Sequence, residues 1–414
     1  MQEFQQHKLG RLVQHCYENV PFYTQAFNEL GLRPGDIRTI EDLQKLPILS
    51  RDLLRTRQQD LLSTTADRKS LQTNFSSGST GVRAEFVQDE EFRMWMRAHQ
   101  LRTYEWCSGW QLGEPFVLLW GSEIYWKLKS VSKSFENLLS NRREFSTFNL
   151  SPTTIERFLQ QLIRFQPALV STYANAMHLI ARAAEENNLK IDGLRAVQGT
   201  SEPMPPELRK NIERAFGCET FDKYGMRETN IVSHEAPTHD GMLIQSENVI
   251  VEIIGENGEV CPVGTPGRVV VTTLNNFAMP LVRYETSDIA SLLYGSSKCG
   301  LPFPRMSSVV GRQQDLILTP NGDHVDAYLF SYLLMSMSEI HWFQVEQREL
   351  ESLILRVYCP LGLPVTRVDE IRERIKRHTR YPFSIDVETL SQMPESSTGK
   401  FRLCISNLKD GHGV

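Results

Sequence analysis

Asn74-Phe75-Ser76-Ser77-Gly78-Ser79-Thr80-Gly81 is the stretch on which the reading of this chain turns. Six of its eight residues are Ser, Thr or Gly. Such a run cannot build a core. It can wrap backbone N–H groups and hydroxyls around an anion, because glycine reaches positive φ and admits close backbone approach. A phosphate is the natural guest. No Gly-Lys-Ser/Thr follows at the spacing of a Walker A loop. Read alone, the stretch is equally a flexible Ser/Gly linker. What decides between the two is the remainder of the chain.

Outward from the loop, Ala84 to Val87 reads as a strand and Asp89 to Trp106 as a long helix. Upstream, Lys8 to Leu30 carries apolar residues at helical spacing, interrupted at Pro21 and closed by Gly31. Ser50 is placed to cap a short helix from Arg51. Downstream, Phe116 to Trp120 reads as a buried strand, Thr153 to Phe165 and Asn175 to Asn187 as helices around a short apolar run at Ala168 to Val170. Arg195 to Val197 is a strand ending in Gly199-Thr200-Ser201, and Pro205 to Phe216 is a helix with prolines at its start. Alternation of this kind predicts an α/β sheet with crossover helices. After Met242 the texture turns to hairpins, Val249 to Ile254 and Gly267 to Thr272, as in a small antiparallel sheet or barrel. The expected fold class is α/β: a large N-terminal domain of α/β sheets with a β-barrel-like part at about 242–310, then a small mobile α+β C-terminal domain. The boundary is placed at Arg312, giving domains 1–312 and 313–414.

The chain has 414 residues and a formal net charge of −5, which argues against a nucleic-acid binder by bulk charge. No apolar run approaches the roughly 20 residues of a membrane span, and Met1 to Gly10 lacks the apolar core of a secretory signal. Seven cysteines stand without a C-x-x-C pair, as suits reduced thiols in a cytoplasmic protein. The basic helix Glu370 to Arg380 is as a rule solvated surface; its functional alternative is a landing patch for a phosphate-bearing acceptor.

Four further stretches follow the loop in order. Gly199-Thr200-Ser201-Glu202-Pro203 closes a strand, where α/β folds place ligand-binding turns. Tyr224-Gly225-Met226-Arg227-Glu228-Thr229 joins an aromatic, a glycine and an acid. Pro280 to Asp288 ends in an acid. Ser397-Thr398-Gly399-Lys400 presents a lysine near the C-terminus.

With the opening Tyr17-Glu18-Asn19-Val20-Pro21-Phe22-Tyr23 and Leu46-Pro47-Ile48-Leu49, this set resembles the adenylate-forming enzymes. Within them it is most similar to the phenylacetate–CoA ligase branch and the related capsule-biosynthesis and coenzyme F390 synthetase-like proteins. The resemblance runs from about Leu9 to Ser406. It implies that Ser76, Ser77, Gly78, Ser79, Thr80 and Gly81 hold ATP phosphates. It makes Glu228 the ligand of Mg²⁺, and sets Ser201, Glu202, Pro203, Tyr224 and Gly225 about the adenine. Asp288 would bond the ribose and Arg312 would serve hinge and nucleotide. Lys400 would be the mobile lysine that bridges acid and phosphate in the first half-reaction. The acid pocket is less defined: Trp120, Tyr125, Trp126 and Tyr173 could line an aryl site or simply pack a core, and Met226 and His234 join the substrate-contact candidates.

Two departures from the family pattern stand out. The usual Thr-Gly-Lys-Pro reads Thr80-Gly81-Val82-Arg83, and the usual Tyr-Arg-Thr-Gly-Asp reads Tyr284-Glu285-Thr286-Ser287-Asp288. They point to a specialised, biosynthetic member. The expected reaction is ATP- and Mg²⁺-dependent activation of a small-molecule carboxylic acid, of aromatic type, to an acyl-adenylate, then transfer to coenzyme A. A carrier-protein thiol or an amine is the alternative acceptor, and a binding protein with a decayed site is the alternative of a different class. Neither nucleic acid nor membrane is expected as a partner; the oligomeric state is left open, a homodimer included.

Overall fold

A computed structural model describes residues 1–76, 84–120, 137–147, 152–202, 204–309, 311–312, 317–321, 324–325, 327–334, 337–394 and 402–408, with only the backbone at a few of these, Arg312 included. By its contacts the chain divides into two compact units, residues 1–103 with 223–309, and residues 104–222 with 310–414.

In the first unit, α1 (Gln2–Asn19) and α2 (Pro21–Glu29) meet at Val20, whose backbone is extended. Pro21 sits at the start of α2, where its missing N–H removes no helical bond. Leu9, Leu12, Val13 and Cys16 of α1 are buried in a cluster with Leu281, Val282 and Tyr284. Ser50 caps α3 (Arg51–Thr56) by accepting from the Leu53 N–H at 3.1 Å, as its position predicts. β1 (Gln72–Phe75) and β2 (Glu85–Gln88) form an antiparallel pair that frames the loop segment 77–83. Asp89 then starts the long helix α5 (Glu90–Trp106): one carboxylate oxygen accepts from the Phe92 N–H, the other from the Phe277 and Ala278 N–H groups. The β-rich part appears as an antiparallel meander of β10 (Val249–Ile254), β11 (Gly267–Thr273) and β12 (Tyr284–Ala290). Beside it runs the hairpin of β8 (Asn230–Glu235) with the second half of β7 (Glu219–Met226).

The second unit is built on four parallel strands in the order β4 (Arg142–Ser146), β3 (Phe116–Trp120), β5 (Leu169–Tyr173), β6 (Ala196–Thr200). The crossovers are α6 (Pro152–Phe165) and α7 (Ala174–Glu186), and α8 (Pro206–Phe216) follows β6, ended by Gly217 in the left-handed conformation. Both sheet faces are covered. Val117, Leu119, Val170 and Val197 pack under the helices, and Phe116, Leu118, Leu169 and Ala196 pack against Tyr104, Cys107 and Trp110. Burial on both faces explains the continuous apolar strands. Chain order makes β3 a turning point: β4 is added on one side, β5 and β6 on the other.

The C-terminal stretch of this unit is α+β. Strands Trp342–Glu349, Ser352–Tyr358, Ser384–Leu390 and Cys404–Ser406 share a sheet with α9 (Ala327–Leu334) and α10 (Val365–Thr379) beside it. Arg182 on α7 donates to the backbone carbonyls of Ser338 and Ile340. The basic helix is α10, and three of its four arginines are paired with acids: Arg367 with Glu339 and Glu370, Arg372 with Asp369, Arg374 with Glu370.

Candidate functional site

In the first unit the root of the phosphate-type loop is closed by Ser76. Its N–H donates to the Ala84 carbonyl and its hydroxyl oxygen accepts from the Ala84 N–H, both at 2.8 Å. Arg51 also donates to that oxygen, at 2.9 Å. A guanidinium therefore stands at the root of a loop whose own sequence lacks the usual lysine. Nothing in the sequence pattern singles Arg51 out, because its partner lies 25 positions away.

The same unit brings the Glu228 turn to this root. Arg227 donates to the Phe75 carbonyl, and the Arg227 carbonyl accepts from Gln88 Nε2 at 2.8 Å. Glu228 is only 6% exposed. Among the described residues none holds its carboxylate by a hydrogen bond or ion pair, while Arg227 and Thr229 on either side are both engaged. The turn depends on two special backbones. Asn230 is left-handed at φ 65°, and a Cβ on Gly225 would meet the Asn230 carbonyl oxygen at 2.4 Å. Glycine at 225 is thus a requirement of the hairpin bulge.

Asp288, on β12, is nearly buried and accepts from the Tyr224 hydroxyl at 2.7 Å. Its own N–H donates to Thr286 Oγ1, whose proton goes to the Val269 carbonyl. The structure answers the two departures around it. Glu285 pairs with Arg268 on the neighbouring strand. Ser287 adopts φ 65°, a backbone that favours the glycine of the family pattern. Met226 is half-buried at the end of β7. His234 is fully buried in β8, donates from Nδ1 to the Glu235 carbonyl, and is pushed down to about 3 by burial. A groove of about 650 Å³ runs along α1 past Arg11, His15 and Phe277 and contains none of these residues.

In the second unit, Trp120 ends β3 and Tyr173 ends β5, with ring centroids 4.9 Å apart and planes 30° apart. The β3–β5 ladder stops at Leu118–Ser171, whereas the flanking ladders continue to Trp120–Ser146 and Tyr173–Thr200. The carboxyl ends of β3 and β5 lie at the point where the strand order reverses, and there Tyr173 is buried in the core with Trp120 packed on it. Open α/β sheets bind ligands at such switch points. Ser201 is exposed in a left-handed backbone at φ 67°. Glu202 is buried, and its Oε2 accepts from both the N–H and the Nδ2 of Asn175 at 3.1 Å, capping the start of α7.

Ser77, Gly78, Ser79, Thr80, Gly81, Tyr125, Pro203 and Lys400 lie outside the described residues, and Arg312 is described as backbone within a short strand, Gly311–Arg312. Among the described residues no cluster of three or more His, Cys, Asp or Glu is set to hold a metal, and no helix is long and apolar enough to cross a membrane.

Comparison with known proteins bears on this arrangement. The family model for AMP-binding enzymes matches residues 63–279, just over half of the chain. The phenylacetate-coenzyme A ligase of Pseudomonas putida is 28% identical over 326 residues, covering 76% of this chain and 71% of that protein. The enzyme of the same name from Thermus thermophilus is 25% identical, covering 97% and 95%. Protein CapK of Staphylococcus aureus is 21% identical, covering 98% and 89%. Among solved structures, 2-hydroxyisobutyryl-CoA ligase in its postadenylation state superposes with a TM-score of 0.81 at 20% identity, over 99% of this chain and 90% of that one.

Proposed function

Because this chain belongs to the AMP-binding enzyme family, as an adenylate-forming ligase of the phenylacetate–CoA ligase-like branch, we propose that it joins an aromatic carboxylic acid to coenzyme A by way of Mg-ATP. The observation that carries the nucleotide half of this reading is Glu228. Its side chain is largely covered by protein, and no described residue pairs with its carboxylate, which leaves that charge for a cation to answer. It stands in a turn tied to the root of a loop built to bind anions. A hard divalent cation needs few protein oxygens when phosphates supply the rest, so Glu228 alone suits Mg²⁺, which when bound neutralises phosphate charge.

In the first step the acid's carboxylate oxygen attacks the α-phosphorus of ATP; the bond to the bridging oxygen breaks and pyrophosphate leaves. Negative charge gathers at phosphorus, and the loop's N–H donors and Lys400 stabilise it. In the second step the coenzyme A thiol, giving up its proton, attacks the acyl carbon and AMP leaves. Tyr224 positions the Asp288 carboxylate for the ribose hydroxyls, and the loop closed by Ser76 and Arg51 takes the phosphates. Trp120 and Tyr173, with ring centroids 4.9 Å apart at the ends of β3 and β5, suit a site for a flat aromatic acid. Residues 313–414 act as the lid that brings Lys400 for the first step only.

Two measurements test this. Pyrophosphate release with Mg-ATP is followed against aromatic and aliphatic acids, then thioester formation with and without coenzyme A. Release confined to aromatic acids and a coenzyme A-dependent thioester are expected; no release with any acid and no ATP binding by calorimetry would leave a binding protein. Lys400→Ala is then expected to lose adenylate formation while still converting a supplied acyl-adenylate to thioester. Equal loss in both half-reactions would overturn the role given to Lys400.

A further inference from the structure

Arg51 is the first residue of α3 and is partly buried. The chain is fixed just before it. Leu49 donates its N–H to the Arg283 carbonyl at 2.9 Å and accepts from the Glu285 N–H at 3.0 Å, which seats it beside β12. Ser50 then caps the helix. A guanidinium carries five N–H groups. One hydrogen bond, to Ser76 Oγ at 2.9 Å, uses a single one of them. Among the described residues no acid pairs with Arg51. Other arginines of the same unit are treated differently: Arg57, Arg102, Arg268, Arg283 and Arg305 each meet a carboxylate. Even Asp52, the next residue in the chain, is turned to Arg55.

Ser76 adds a second donor of the same kind. It is 1% exposed. A hydroxyl has two lone pairs and one proton. The Ala84 N–H and the Arg51 guanidinium occupy the lone pairs. The proton is then left to be donated, and no described residue accepts it. Unused guanidinium N–H groups and a buried hydroxyl proton thus converge at the end of β1. The neighbouring residue, Phe75, accepts from Arg227 and so ties the Glu228 turn to the same place. Buried donors call for acceptors, and a cluster of donors with a positive charge among them suits an anion with several oxygens.

We propose that Arg51 is a phosphate-binding residue. Ser76 holds one arm of its fork, and the remaining N–H groups donate to the β- and γ-phosphate oxygens of ATP and keep hold of the pyrophosphate as it leaves. The stretch Ser76 to Gly81 contains no Lys or Arg. The positive charge it lacks comes from α3, 25 positions upstream. An arginine suits this task where a lysine would not, because the planar fork can hold a serine oxygen and a phosphate at once. The inference rests on the nucleotide half of the reading above and adds to it the side chain that meets the leaving group.

The test is calorimetric titration of the full chain with Mg-ATP, with Mg-pyrophosphate and with AMP, for the wild-type protein, Arg51→Gln and Arg51→Lys. Glutamine keeps a donor for Ser76 and removes the charge. Arg51→Gln is expected to weaken ATP and pyrophosphate by about ten- to a hundredfold, the scale of a hydrogen bond to a charged group. AMP affinity should stay within a factor of two, and the thermal midpoint within a few degrees of wild type. Arg51→Lys, which restores the charge without the fork, is expected to recover part of the loss. Unchanged ATP and pyrophosphate binding in Arg51→Gln would overturn the inference and leave the ligase reading intact. Equal weakening of AMP would also overturn it, since the effect would then lie outside the pyrophosphate end. A lysine variant that binds pyrophosphate no better than the glutamine variant would remove the charge from the account. A lowered thermal midpoint without selective loss would make Arg51 a structural tie between α3 and β1. Absence of ATP binding by the wild-type protein would overturn both readings together.

Discussion

Glu228 and Glu252 lie in the same compact unit and are buried to nearly the same degree, 6% and 4% exposed, yet they are treated in opposite ways. Glu252, on β10, is met by Arg283: Nε donates to one carboxylate oxygen at 3.1 Å, and Nη2 stands 3.1 Å from the other, close enough for charge but off the hydrogen-bond line. The same guanidinium also donates to the Leu46 carbonyl at 2.6 Å. Burial pushes the Glu252 carboxyl above its usual range and Arg283 pulls it part of the way back. Glu228 has no such partner among the described residues. The acid of the scaffold is neutralised by an arginine, and the acid proposed as the cation ligand is not.

The largest expected effects break this comparison directly. Glu228→Gln should lower pyrophosphate release by about a thousandfold or more, since loss of the proposed metal ligand removes several kcal/mol of transition-state stabilisation, while thermal stability is little changed because no described residue pairs with its carboxylate. Glu252→Gln should do the reverse. It strands Arg283 without its counter-ion, at about 3 kcal/mol of folding stability, and leaves kcat unchanged in the fraction that stays folded. Urea denaturation and pyrophosphate release on both variants check the pair. If Glu228→Gln destabilised the fold as Glu252→Gln does, the distinction between them would be void.

How far this could be read beforehand depends on how local each feature is. Pro21 opening α2, Ser50 capping α3 and the strand–helix alternation from Phe116 to Phe216 are local signals, and all three appear in the structure. The strands β7 and β8 were not anticipated, because Asp222, Lys223, Ser233 and His234 are polar yet buried, which hides the alternation that marks a strand. Arg51 on Ser76, Arg268 against Glu285, and Glu202 on Asn175 are contacts between residues distant in sequence. They exist only once the chain is folded, and no composition or spacing rule reaches them.

The buried bases sharpen the same point from the other sign of charge. Burial holds His178 and His234 down to about 3, and His99 and His341 down to about 4. Unfolded, each would take up a proton near 6.5. From there down to about pH 4 the unfolded chain binds more protons than the folded one. Stability is therefore fully present above 6.5 and declines as pH falls, by about 1.4 kcal/mol per pH unit for each such histidine at most. Urea midpoints should drop between pH 7 and pH 5, and His178→Leu should flatten the slope by one proton's worth. A flat profile over that range would mean these histidines titrate normally and the interior admits their charge.

The smallest effect concerns the departure at Ser287. A residue with a Cβ in the left-handed region costs on the order of 1 kcal/mol relative to glycine, which enters that region freely. Ser287 holds φ 65° one residue before Asp288, in the segment where Glu285 is answered by Arg268. The strain is therefore local and the carboxylate's partner, Tyr224, is unaffected by it. Ser287→Gly should raise stability by about 0.5–1 kcal/mol and leave KM for ATP within a factor of two. The gain is trimmed because glycine also frees the unfolded chain. A large change in KM for ATP with no change in stability would give the serine hydroxyl a part in nucleotide binding. Ser287 would then belong with Glu228, as a group kept at some cost for a ligand, and no longer with Glu252 in the scaffold.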